Sequence, residues 1–205
     1  MVKKDLNTEE KILAAAREVF HKKGFDGARM QEIADMAGIN KALIHYYYRN
    51  KENLFNAVFT EAFTQMTGTI SSIFAGSGTM EEKLNRFFDY HISFLQANSF
   101  LPRFLLTSLY QKPDEIRKLI SQIPLRPNDI LSQALDGLHK EGMEVKDSLQ
   151  MFANVLSLSI FPIIVQPMLS FIFKLSDKEM KQFYEVRKKN LGRFVIQGVN
   201  LQKKS

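Results

Sequence analysis

The 205-residue chain predicts an all-α fold on three observations. Apolar residues recur at spacings of three and four along most of its length, the period of a helix with one buried stripe. No stretch keeps the apolar-polar alternation of a half-buried strand. Residues that start or stop helices, among them Gly24, Gly38, Asn40, Asn50, Gly142 and Ser176, punctuate that pattern.

In order, the first helix is predicted from about Thr8 to Lys23. Asn7 is its N-cap, Glu10 stands at capping-box spacing, and Ile12, Leu13, Ala16, Val19 and Phe20 form the buried stripe. Gly24 supplies a left-handed stop. A second short helix covers about Arg29 to Ala37 and ends at Gly38. Asn40 caps a third, Lys41 to about Tyr48, and Asn50 caps a fourth that runs to about Phe74. Further helices follow over about 80–97 and 100–111, with a short one from Pro113. Another is marked by Ile130, Leu131, Ala134, Leu135 and Leu138 and ends at Gly142. Residues 148–173 carry no charge. Pro162 and Pro167 predict a helix to about Ile160 followed by a proline-bounded connection, and Gln150, Asn154 and Ser157 argue against a membrane span. That helix is apolar on two faces, so it is expected to be buried twice. Ser176 and Glu179 make a capping box for the last helix, on which Met180, Phe183, Tyr184, Leu191, Phe194 and Val195 share a face.

Composition excludes several classes. With no cysteine there is no disulfide and no thiolate metal site, which suits a reducing, cytoplasmic setting. The polar N-terminus lacks the apolar stretch of a secretory leader. His21, His45, His91 and His139 are scattered with no nucleophile-elbow or zinc-protease spacing, so no catalytic residues, metal ligands or cofactors are expected. The net charge of +6 permits a polyanionic partner. Residues 1–60 hold ten Lys or Arg against eight Asp or Glu, so the surplus is not concentrated there.

The informative stretch is MQEIADMAGINKALIHYYYRNKENL, residues 30–54. Ile33, Ala34, Ala37, Ile39 and Ile44 are spaced to pack two short helices across each other. Lys41, Leu43, His45 and Tyr47 then fall largely outward on a helix too short and polar to be core. Such a helix suits insertion into a DNA major groove. There Lys41 can meet a guanine edge and Leu43 a thymine methyl, while Tyr46, Tyr47 and Lys51 suit phosphates. Tyr48 is placed as core.

Over KILAAAREVFHKKGFDGARMQEIADMAGINKALIHYYYRNKENLFNAV the chain closely resembles the DNA-binding domain of the TetR/AcrR family of transcriptional regulators. The IAxxAG of the second helix, the aromatic triplet closing the third and the Asn-Lys-Glu opening the fourth all fall at that family's spacing. The resemblance implies DNA contacts at Arg29, Gln31, Asn40, Lys41, Leu43, His45, Tyr46, Tyr47 and Lys51. Ala42, Leu43, His45 and Tyr47 stand where the family has Gly, Thr, Tyr and His, so the bases read at Leu43 and His45 are this chain's own.

The resemblance further implies a helix-turn-helix domain over 1–58 and an effector-binding and dimerisation domain over 59–205. These would be joined by the long fourth helix, with about nine helices in all. It implies a homodimer on a pseudo-palindromic operator and repression released by a small molecule, with an activator or a ligand-independent regulator of the same fold as the alternative. Phe63, Met66, Phe87, His91, Phe94, Phe104 and Phe152 are the candidate pocket, whose aromatic character suits a hydrophobic or amphipathic ligand. Met151, Val155, Leu156, Leu158, Phe183, Leu191, Phe194 and Val195 are the candidate dimer interface.

Overall fold

A computed structural model describes residues 2–124 and 127–202, with side-chain surroundings for 7–124 and 128–199. The described residues form eleven helices and no strand, bearing out the all-α expectation. They divide into two compact units, Met1–Thr64 with Asn98–Ile123, and Gln65–Ala97 with Pro124–Ser205.

In the first unit, α1 (Val2–Gly27) continues through Asn7, which therefore caps nothing. The predicted cap fails because the helix extends toward the N-terminus past a residue that is only mildly unfavourable inside it. At Gly24 the backbone leaves the helix with φ 69° and ψ −178°. The predicted stop is there, but in an extended region open essentially to glycine rather than in the left-handed helical one. The next helix, α2 (Met30–Ala37), closes as expected on Gly38 at φ 66°. Ile39 N–H bonds the Ala34 carbonyl and Gly38 N–H the Asp35 carbonyl, a Schellman closure. In α3 (Lys41–Tyr48) the Asn40 side chain accepts from Ala42 N–H at 2.9 Å. The start of α4 (Lys51–Ala75) is capped by Asn50, whose Oδ1 accepts from Asn53 N–H at 2.8 Å. This helix spans about 37 Å at 1.5 Å per residue. Its residues to Thr64 belong to the first unit and the rest to the second.

Two more helices complete the first unit: α6 (Phe100–Gln111) and α7 (Pro113–Ser121). A phenylalanine cluster binds α6 to the head. Phe55 lies 4.8 Å from Phe20, 5.1 Å from Phe25, 5.9 Å from Phe100 and 4.1 Å from Phe104, centroid to centroid. Edge-on and tilted ring pairs at these distances contribute beyond their buried area. The Arg17–Glu61 ion pair at 2.9 Å ties α1 to α4 from outside.

The second unit is built on α5 (Met80–Ala97), which packs along α11 (Asp177–Gln202). At Gly192 the helices come so close that an added Cβ would lie 2.8 Å from the Asn85 backbone nitrogen. The start of α5 is a further capping box, with Thr79 N–H donating to Glu82 and Glu82 N–H to the Thr79 hydroxyl. Pro127 opens α8 (Pro127–Lys140) three residues ahead of its first apolar marker, because proline fits the first helical turn. The capping box of α11 forms as predicted, with Ser176 N–H on Glu179 at 2.8 Å.

The largest departure is at the uncharged stretch. The expected stop near Ile160 does not occur, since α9 (Ser148–Ile164) runs through Pro162. The N–H that Pro162 lacks would have bonded the Leu158 carbonyl. Arg187 on α11 donates its guanidinium to that carbonyl at 2.7 Å instead. The Tyr184 hydroxyl donates to the Pro162 carbonyl at 2.9 Å. The expected connection is itself a helix, α10 (Gln166–Phe173), bent 66° from α9. It takes the total past the nine or so predicted. Among the described residues no single helix is long and apolar enough to cross a membrane.

Candidate nucleic-acid interface

All nine sequence-predicted contact residues lie in the first unit, on the start of α2, along α3 and at the start of α4. One face of α3 is core, because Ile44 and Tyr48 are buried. Tyr48 donates its hydroxyl to Glu9 at 3.2 Å, and burial and then the Glu9 charge push its pKa well up, so it stays a neutral packing residue. The other face is open. Lys41, His45 and Tyr46 are exposed, Tyr46 at 80%, with Leu43 and Tyr47 half-buried beside them. The Tyr46 and Tyr47 rings meet edge to face at 5.5 Å, which holds two phenols side by side. Asn40 is exposed with its oxygen engaged by the cap.

The turn after α3 carries strain. Arg49 sits at φ 63° and ψ −49°, outside the regions that side-chain-bearing residues favour, which costs about 1–3 kcal/mol. Two bonds hold it, Arg49 N–H to the His45 carbonyl at 2.9 Å and His45 Nδ1 to the Arg49 carbonyl at 2.7 Å. A carbonyl only accepts, so Nδ1 carries the proton, and only Nε2 can meet a base edge. His45 is thus a brace for the turn as well as a candidate reader, a role no sequence spacing indicates.

Lys51 is also doubly placed. Its ammonium donates to the Asp26 and Ala28 carbonyls at 3.3 and 3.2 Å and lies 4.6 Å above the Phe25 ring. Two of its three N–H groups clamp the α1–α2 connection, which leaves one for a phosphate. Arg29 precedes α2 in extended conformation with its side chain exposed, and Gln31 is held by Asp35 at 2.8 Å. The Lys23–Glu32 pair at 2.6 Å secures the same connection.

The candidate pocket residues are divided between the two units. In the first unit Phe63 stacks on Phe59 at 4.6 Å, and Phe104 belongs to the Phe55 cluster. In the second, Met66, Phe87, His91 and Phe94 are buried and Phe152 is half-buried. His91 stacks on Phe87 at 5.0 Å and bonds the Ser159 hydroxyl at 3.0 Å through Nδ1. Burial pulls its pKa down to about 4, so the imidazole is neutral. Of the candidate dimer residues, Leu191 and Val195 are buried within the second unit, while Phe194 is 61% exposed. Met151, Val155, Leu158, Phe183, Phe194 and Val195 line one open, largely apolar cleft of about 660 Å³ between α9 and α11, and Leu156 is half-buried on α9.

The comparisons agree with this geometry. The family described as "Bacterial regulatory proteins, tetR family" matches residues 12–58. A probable HTH-type transcriptional regulator, YttP of Bacillus subtilis, is 27% identical over 139 residues, covering 66% of this chain and 67% of that protein. The fatty acid metabolism regulator protein of the same organism is 29% identical over 145 residues, covering 68% and 75%. Among solved structures, the transcriptional regulator FadR from Bacillus subtilis, in complex with stearoyl-CoA, superposes with a TM-score of 0.66 at 21% identity, covering 89% and 96%. The match over residues 12–58 identifies the head, with its capped and outward-facing α3, as a TetR-type DNA-binding domain, and the rest of the chain shares the all-helical fold of the transcriptional regulators it resembles.

Proposed function

We propose that the chain is a cytoplasmic repressor that binds a pseudo-palindromic operator as a homodimer and is released by an amphipathic, acyl-thioester-like effector. Residues 1–58 bind the DNA, and residues 59–205 bind the second copy and the effector. The observation that carries the DNA half is α3, capped at Asn40 and presenting Lys41, His45 and Tyr46 outward from a head whose core is complete without them. The surplus charge in residues 1–60 is small, so one head alone is a weak binder. Two recognition helices about 34 Å apart, one helical turn of DNA, supply the rest. The open apolar cleft between α9 and α11 supports a second copy, which would cover Phe161 and Phe194. The effector class rests on the Bacillus subtilis matches, one named for fatty acid metabolism and one solved with stearoyl-CoA.

Selecting bound duplexes from a random pool and mapping bound DNA genome-wide test this directly. The enriched site should be an inverted repeat that Lys41→Ala with Tyr47→Ala no longer binds. Phe194→Asp should shift sedimentation toward monomer. An enriched site without two-fold symmetry overturns the dimeric reading. Release of DNA by palmitoyl-CoA supports the effector class, and tighter binding in its presence overturns repression relieved by ligand.

A further inference from the structure

The sharp turn after α3 fixes the chemistry of one side chain on the outward face. Asn50 N–H donates to the Tyr48 carbonyl at 2.7 Å, which closes a γ-turn around Arg49. The central angles, φ 63° and ψ −49°, belong to the rare and strained form of that turn. In it the Arg49 carbonyl meets His45 Nδ1 at 2.7 Å. A carbonyl only accepts, so the ring proton stays on Nδ1. The neutral ring then keeps one free lone pair, on Nε2. That atom makes no hydrogen bond among the described residues, and the side chain is exposed.

A bare lone pair can accept but cannot donate, and the major groove sorts bases by that difference. Adenine N6 and cytosine N4 present an amino hydrogen where guanine O6 and thymine O4 present an acceptor. Facing an amino group, Nε2 gains a bond. Facing a keto oxygen, two acceptors oppose each other and both lose water without compensation. Lys41, one turn earlier on the same exposed stripe, has the opposite character, with donors only. The two side chains therefore fit different base edges.

We propose that His45 reads an amino-bearing base, adenine or cytosine, in the major groove of the operator, through the tautomer that the Arg49 turn imposes. The strained turn then sets a base preference as well as the end of α3. This inference rests on the DNA-binding reading above.

The test uses the full chain and its selected operator at about pH 8, where imidazole is neutral. Each position of a half-site is changed in turn, and binding of wild type, His45→Ala and His45→Lys is compared. At one position wild type should favour the amino base over the keto base of the same ring size by about tenfold, and His45→Ala by less than about twofold. Replacing an adenine there by purine, or a cytosine by pyrimidin-2-one, removes the amino group. That change should weaken wild type and spare His45→Ala. His45→Lys, which carries donors only, should reverse the preference, and it keeps the test open if His45→Ala loses the operator. A residue that only braced the turn would, when removed, weaken all these operators alike. Long-range proton–nitrogen NMR of the free chain should show the proton of His45 on Nδ1. If no duplex is enriched from the random pool, the DNA-binding reading falls and this inference with it. If an operator is enriched but its base ratios are the same in wild type and both variants, that reading stands and the amino-edge assignment is overturned. A His45-dependent preference for guanine or thymine, or a proton on Nε2, overturns the tautomer.

Discussion

The helix-turn-helix and the α9–α11 region end and continue their helices by opposite means. In residues 30–54 each boundary is set by a residue at the boundary: Gly38 closes α2, Asn40 opens α3 and Asn50 opens α4. In α9 the residue that should end the helix, Pro162, does not. Arg187 and Tyr184, more than twenty residues further along the chain, satisfy the carbonyls of Leu158 and Pro162. A local stop is legible because donor and acceptor are neighbours in sequence. A remote rescue depends on which helix packs against which.

Placing the same substitution in both regions sharpens this comparison most. At Gly192 a Cβ would meet the Asn85 backbone, so Gly192→Ala should cost about 3 kcal/mol, the upper part of the overpacking range. At Gly38 a Cβ meets nothing, and the cost of Gly38→Ala should be only the left-handed penalty of about 1–2 kcal/mol. Urea unfolding of both variants measures the difference. Equal losses would mean that the α5–α11 crossing relaxes freely.

The second contrast is in pH. His91 has a depressed pKa, so between its ordinary value of 6.5 and about 4 the unfolded chain binds a proton that the folded chain refuses. Stability should therefore be full above pH 6.5, fall as pH drops through that window, and level off below it. The total loss should be up to about 3 kcal/mol, at 1.36 kcal/mol per pKa unit. His91→Gln should flatten that part of the curve in thermal melts at constant ionic strength.

Third, Arg187→Met should cost about 1 kcal/mol by leaving the half-buried Leu158 carbonyl without its protein donor. In a Pro162→Ala background the backbone N–H at 162 can take that carbonyl back, and the same change should cost much less. A double-mutant cycle with no coupling would remove Arg187 from this role. An effect of the same size belongs to the local side of the comparison. Asn40→Ala should lose about 1 kcal/mol with its cap and lower operator affinity through α3. Loss of stability without loss of binding would separate the cap from recognition.

Wherever the deciding partners are adjacent in the chain, the sequence was sufficient. It determined the all-α class and nearly every boundary between Met30 and Ala97, as well as the burial of Ile44 and Tyr48. The outward placing of Lys41 and His45 and the Ser176–Glu179 capping box were equally legible, whereas Leu43 and Tyr47, also expected outward, are half-buried and Tyr46 is the exposed ring. Asn7 shows the limit of that logic, because a favourable cap residue yields when the helix simply continues past it. Only the tertiary structure decided that α6 joins the head through Phe55 and Phe104, and that Lys51 clamps the α1–α2 connection. The same holds for His45 bracing a strained Arg49 and for α9 surviving Pro162. Each of these last depends on a side chain meeting a carbonyl or a ring whose position the packing of helices sets. Periodicity says which face of a helix is buried, not what lies opposite it.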